Sequence, residues 1–141
     1  MTVKEYLLQY KELTKKVERL HAEYLREQSE IDEIRSPLGG DGLPHGNEIT
    51  KTVENRALRL TDKLLAYEEA RIDALEKRQE IFDLLEDVPG VMGDVLRDRY
   101  LNLLKWDEIS ADLNYSMSAI HYQERKGLKY LATKLVLFCT L

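Results

Sequence analysis

Hydrophobic positions in the first third of the chain follow a helical stripe. Tyr6, Tyr10, Leu13, Val17, Leu20, Tyr24, Ile31 and Ile34 recur at steps of four and three, with Gln28 filling the one gap. Lys, Glu and Arg occupy the other faces, so the pattern predicts one long helix over residues 2–35 with a narrow coiled-coil-like seam. At 1.5 Å per residue that helix would be roughly 50 Å long. Thr2 and Glu5 match a capping box, in which hydroxyl and carboxylate each take a backbone N–H of the first turn.

The pattern breaks at residues 36–46, where two prolines and four glycines fall within Ser36-Pro-Leu-Gly-Gly-Asp-Gly-Leu-Pro-His-Gly46. Such a run cannot continue a helix and is expected to be a turn or linker. His45, inside it, has no neighbour suited to metal binding or catalysis. Asn47 is placed to cap a second long helix over about residues 48–87. One stripe of that helix runs Ile49, Val53, Ala57, Leu60, Leu64, Tyr67, Arg71, Ala74, Arg78, Ile81 and Leu85. A neighbouring stripe runs Leu58, Leu65, Ile72, Leu75 and Phe82. Two adjacent stripes make a face broader than one partner helix covers. The first is expected to fold back on the N-terminal helix as an antiparallel hairpin. The second is left for the C-terminal segment or for another copy of the chain.

After Val88-Pro-Gly-Val-Met-Gly93 the period shortens. Residues 94–104 carry a helical set at Val95, Leu96, Arg99, Tyr100 and Leu103. Then Trp106, Ile109 and Leu113 mark one face of a short helix, with Ala111 small where a following helix would cross. Asn114 is a residue type that tolerates a left-handed turn. Ser116 can cap the next helix, from which Ile120, Leu128 and Leu131 point inward and Gly127 permits a close approach. Met117, Ser118, His121, Tyr122 and Arg125 are left outside. Helix, short turn, helix is the pattern of a helix-turn-helix, whose second helix can enter the major groove of DNA.

Composition narrows the partners. The chain has 141 residues, 43% apolar and 33% charged, with net charge −5. That acidity argues against a protein that coats nucleic acid nonspecifically. It belongs to the first 87 residues, with 14 Lys and Arg against 20 Asp and Glu, whereas residues 88–141 hold 7 against 6. Residues 116–141 carry Arg125, Lys126, Lys129 and Lys134 against Glu124 alone. The division therefore falls into a helical arm, 1–87, and a mildly basic head, 88–141. A single cysteine, Cys139, excludes an internal disulfide, fits a reducing cytoplasm, and is expected to be a small buried apolar residue. No run approaches the 18 to 20 apolar residues that a membrane-spanning helix needs, and the first residues lack the layout of a signal peptide. The three histidines are far apart, and no nucleophile motif, phosphate loop, paired acid or Cys/His pattern suggests catalysis, a cofactor or a metal. The chain is expected not to be an enzyme.

The C-terminal third resembles region 4 of the bacterial sigma-70 type factors. The residues that carry this are Val88-Pro89, Val95-Leu96, Arg99-Tyr100-Leu101, Trp106-Asp-Glu-Ile109, Ala111, Leu113, Tyr115-Ser116, Ile120, Gly127-Leu128 and Leu131. Taken whole, the chain is similar to a family of short phage and prophage proteins of Gram-positive bacteria related to the late-gene activators RinA and ArpU. The resemblance implies an all-α fold, a long antiparallel hairpin followed by a sigma-70 region 4-like helix-turn-helix. It implies a transcriptional regulator in the bacterial cytoplasm that binds duplex DNA in a sequence-specific way and contacts RNA polymerase. Ser116, Met117, Ser118, His121 and Tyr122 fall where sigma factors meet base edges or nearby backbone, and Arg125 and Lys126 where phosphate contacts lie. Met117 and Ala119 stand where those factors usually carry arginine or other polar groups. The bidentate arginine–guanine contact is absent from them, and apolar contact with thymine methyls remains. Dimerisation would let two such heads add their contacts. The alternatives are a DNA-packaging component of the small-terminase kind and a protein-binding helical adaptor that touches no DNA.

Overall fold

The computed structural model describes residues 1–35 and 47–139. The described residues form five helices, with no strand among them, in the order α1 (Val3–Arg35), α2 (Asn47–Glu86), α3 (Gly90–Tyr100), α4 (Trp106–Leu113) and α5 (Met117–Cys139). None of these helices is long and apolar enough to cross a membrane. The break at 36–46, with His45, lies outside the described residues, as do the side chains of Asn47 and Cys139. Two compact units result, one of residues 1–12 with 74–141 and the other of residues 13–73.

In the unit of residues 13–73, α1 and α2 meet through polar and aromatic pairs. Glu23 takes an ion pair from Lys63 at 3.3 Å, Glu30 one from Arg56 at 3.7 Å, and the His21 ring stacks on Tyr67 with centroids 4.8 Å apart. Partners rise along α1 as they fall along α2, so the two segments run in opposite directions. Ile31 and Ala70 are buried here. The residues of the second α2 stripe remain in solvent: Leu58, Leu65, Ile72, Leu75 and Phe82 are 40–65% exposed.

The other unit carries the larger core. Leu7, Ile81, Leu85, Val88, Leu96, Tyr100, Leu101 and Leu131 form one buried cluster, and Val95, Ile109 and Ile120 form a second, flanked by Val91, Leu104, Trp106 and Leu113. Each large apolar side chain removed from water in this way contributes about 1.5–3 kcal/mol. Leu7 is fully buried although the stripe pattern runs through Tyr6 and Tyr10, which are only half-buried. The departure from the predicted stripe is confined to these first turns, which pack against the end of α2 and against Leu131 of α5. Further along, Leu13, Val17, Leu20, Tyr24 and Ile31 are half-buried or buried as the stripe predicts.

Local chemistry fixes the helix ends. Thr2 N–H donates to Glu5 Oε2 at 3.0 Å and Glu5 N–H to Thr2 Oγ1 at 3.1 Å, completing the capping box. At the end of α2, Arg97 of α3 donates to the Leu85 carbonyl at 2.8 Å while Asp94 holds its other nitrogen at 2.9 Å. That satisfies a carbonyl the helix end leaves open and places positive charge at the negative pole. The third helix begins at Gly90 and ends at Tyr100, so Leu103 lies outside it, with φ 56°. This left-handed residue turns the chain towards α4, and Arg99 Nη1 secures the turn by donating to the Leu104 carbonyl at 2.9 Å.

Candidate nucleic-acid interface

One close backbone approach sets where α5 lies. Gly127 is buried against α3, and a Cβ there would stand 2.8 Å from Leu96 Cδ1 and 3.2 Å from its Cγ. Gly93 has no room for a Cβ either, because the Val88 carbonyl occupies the space. Ala111, by contrast, is exposed, so the close crossing expected there is made by Gly127 on Leu96 instead. The small-residue signal was present at both positions, and only packing tells them apart.

The turn between α4 and α5 is built from short-range bonds. Glu108 accepts the Lys105 N–H at 3.3 Å at the start of α4. Asn114 adopts the left-handed conformation, φ 58° and ψ 41°, and its N–H reaches the Ser110 carbonyl. Tyr115 N–H returns to the same carbonyl at 3.3 Å, and the Ser110 hydroxyl donates to the Tyr115 carbonyl. Ser116 Oγ accepts the Ala119 N–H at 3.2 Å, opening α5. The Ser116 hydroxyl is therefore engaged in capping.

From that start, α5 divides cleanly. Ile120, Glu124, Gly127 and Leu131 are buried, and Ser118, Tyr122, Arg125 and Lys129 form the opposite, exposed row. Lys126 lies beside this row and is exposed as well. Met117 is 42% exposed, at the margin facing α4. His121 sits on that margin too, half-buried, its ring tilted against Trp106 with centroids 4.5 Å apart. The Arg99 guanidinium also lies over that indole, 4.4 Å from the ring centroid. Of the seven residues singled out from the sequence, Ser118, Tyr122, Arg125 and Lys126 therefore share the exposed surface. Met117 and His121 border it, and Ser116 belongs to the turn.

Glu124 is the buried ionisable residue behind this face that sequence reasoning missed. Its side chain is almost wholly buried, accepts the Tyr100 hydroxyl at 3.1 Å, and lies 3.8 Å from Lys4 Nζ and 3.9 Å from His121 Nδ1. Burial, followed by the adjoining Glu124 charge and hydrogen bond, pushes the Tyr100 phenol well above the ordinary tyrosine range. The phenol consequently stays protonated and remains a donor to the carboxylate. One buried acid thus ties α5 to α3, holds Lys4 of α1 near, and sits next to the His121 ring. Lys129 was also missed as a site residue, although its spacing from Ser118, Tyr122 and Arg125 continues their row by one helical turn.

Among the described residues no group of three or more His, Cys, Asp or Glu side chains is placed to hold a metal ion. No family model, curated protein or solved structure matches this chain.

Proposed function

We propose that the chain is a phage-type transcriptional regulator, a helical hairpin carrying a sigma-70 region 4-like helix-turn-helix that binds duplex DNA with α5. The observation that carries this reading is the exposed row on α5. Its side chains are polar, aromatic or cationic, no carboxylate lies in it, and it stands on a helix locked from behind by Gly127, Leu131 and the Glu124–Tyr100 bond. A rigid helix presenting such a row after a tight capped turn suits insertion into the major groove. Ser118 and Tyr122 would meet base edges, Met117 a thymine methyl, and Arg125 and Lys126 the flanking phosphates. Contact with RNA polymerase belongs to the same reading.

The test is selection of bound duplexes from a random library, followed by anisotropy titration of the selected duplex at several salt concentrations. Wild type is expected to bind the selected sequence in preference to scrambled duplex. Arg125→Ala should reduce the salt slope by about 0.9. Tyr122→Ala should narrow the preference over scrambled sequence. No selection of any sequence at low salt, or an Arg125→Ala protein with unchanged affinity and slope, would sink the proposal.

The open α2 stripe supports a homodimer as part of this reading. Leu58, Leu65 and Ile72 fall seven residues apart, with Leu75 and Phe82 at the companion heptad position. In a parallel pair of α2 helices, Arg71 of one copy would face Glu76 of the other, and Arg78 would face Asp83. In that geometry, residues flanking the seam pair across the interface five positions apart. Thr61, Glu68 and Gln79 interrupt the seam and keep it weak. A parallel pair puts both heads at the same end, where two modest contact sets add. Sedimentation should give a dimer that Leu65→Lys converts to monomer. A ring-like assembly would favour the DNA-packaging alternative, and a monomer that binds no duplex would favour the adaptor.

A further inference from the structure

The outer face of α5 does not end at Arg125. It continues into a groove of about 660 Å³ shared with the start of α1 and lined by Thr2, Lys4, Tyr122, Arg125, Lys126 and Lys129, with apolar neighbours at its floor. We propose that this groove seats backbone phosphates of the bound duplex, so that Lys4 and Lys129 belong to the DNA interface. The proposal rests on the DNA-binding reading above and extends it to a helix outside the helix-turn-helix.

The electrostatics are one-sided. Four cations line the groove and no carboxylate does. Glu124 lies behind, almost wholly buried and already engaged by Tyr100, with Lys4 3.8 Å away and its side chain 57% exposed. Arg125, Lys126 and Lys129 make no ion pair with the described residues. Three of the four cations thus lack an ion-pair partner, Lys4 alone facing Glu124. Like charges brought together repel one another, and a polyanion relieves that repulsion. Tyr122 adds a hydroxyl donor on the groove wall.

The dimensions select backbone rather than bases. Ser118 and Lys129 are eleven residues apart on a straight helix, roughly 16 Å along its axis. The major groove is only about 12 Å wide. With Ser118 and Tyr122 among the base edges, Lys129 has passed the groove wall and stands over the sugar–phosphate chain. Lys4, on the far side of the same groove, reaches that chain from α1. Phosphate contacts of this kind fix the orientation of the reading helix and carry no sequence information.

The test uses the full chain with Lys4→Gln, Lys129→Gln and the double variant, and Lys77→Gln as a control that does not line the groove. Binding to a selected and to a scrambled duplex is measured across salt concentrations. Each groove variant is expected to lower the salt slope by about 0.9, and the pair by about 1.8, with affinity at moderate salt falling roughly tenfold or more. The ratio of selected to scrambled binding should not change, since the lost contacts are to phosphate. Lys129→Arg should restore the slope. Lys4 neighbours Glu124, so folding is checked by denaturation. Should Lys4→Gln prove unstable, Lys129→Gln decides alone. Groove variants with the slope of wild type and Lys77→Gln, in a wild type that binds, would overturn this inference and leave the DNA reading standing. A wild type that binds no duplex would overturn both.

Discussion

Gly127→Ala isolates the contact that seats α5. The added methyl would stand 2.8 Å from Leu96 Cδ1 and 3.2 Å from Cγ, against the roughly 3.5–4.0 Å at which carbons pack comfortably. Leu96 is fully buried within the main core cluster, so its movement must displace other core side chains. Overpacking of this sort costs about 1–3 kcal/mol. Against it stands the helix-propensity gain of replacing glycine by alanine, about 1 kcal/mol. The net change in wild type is therefore a destabilisation of about 0–2 kcal/mol. Removing the obstacle reverses the sign. Leu96→Ala alone costs about 2–5 kcal/mol. In that background the next contact is Met92 Cβ at 3.4 Å, close to an ordinary packing distance, so Gly127→Ala should stabilise by about 1 kcal/mol. The coupling between the two substitutions comes to about 1–3 kcal/mol, measured from urea denaturation of all four proteins. With a slope of about 2 kcal/mol per molar, a coupling of that size displaces the midpoints by about 0.5–1.5 M relative to additivity. Equal effects of Gly127→Ala in both backgrounds would refute the argument that Leu96 is what limits this position.

Three further outcomes follow from the same geometry. Asn114→Ala forces a Cβ-bearing residue with no compensating side chain into the left-handed region and should cost about 1 kcal/mol in denaturation, whereas Asn114→Gly should be nearly neutral. Burial, and then the neighbouring Asp112 carboxylate, raise Asp98 above the usual aspartate range, and its Oδ2 has no donor among the described residues. Its raised folded value makes the carboxylate stabilising only where it is protonated, an advantage lost as pH rises through that value. Asp98→Asn supplies an N–H towards Asp112 and should stabilise at pH 7 by about 1 kcal/mol, with the gain shrinking below about pH 4. Tyr100→Phe leaves Glu124 without its buried donor and should cost about 1–3 kcal/mol at neutral pH. Because the Tyr100 phenol is raised, wild-type stability should fall as pH climbs above about 10, where the unfolded phenol ionises, and this alkaline loss should be weaker in the variant. A variant with an undiminished alkaline loss would contradict the assignment.

Several features could be read directly from the sequence because their partners lie within a few residues. The Thr2–Glu5 capping box, the left-handed Asn114 and the Ser116 cap each depend on bonds spanning at most five positions. Apolar periodicity located the five helices, since period alone reveals which positions share a face, although α3 lies four residues earlier than the predicted 94–104 and α5 runs on past Leu131 to Cys139. Leu103 shows the limit of that rule: it fits the helical spacing of α3, yet the chain has already turned there. The amphipathic division of α5 into an Ile120–Leu131 side and an outer side was also apparent.

What the tertiary structure alone decided concerns partners far apart in sequence. Leu7 rather than Tyr6 or Tyr10 is fully buried because three helix ends converge on it. Glu124 is marked by the sequence only as the one acid among the cations of residues 116–141, and it becomes a buried acceptor because Tyr100, 24 residues earlier, comes against it. Ala111 and Gly127 looked equivalent as sites of close approach until α3 brought Leu96 to one of them. Lys4 belongs by sequence to the acidic arm, and folding sets it beside the cations of α5. Local propensity sets which face a helix can bury, while the packing of distant elements fixes which side chains that face meets, and so which charges are left for a partner.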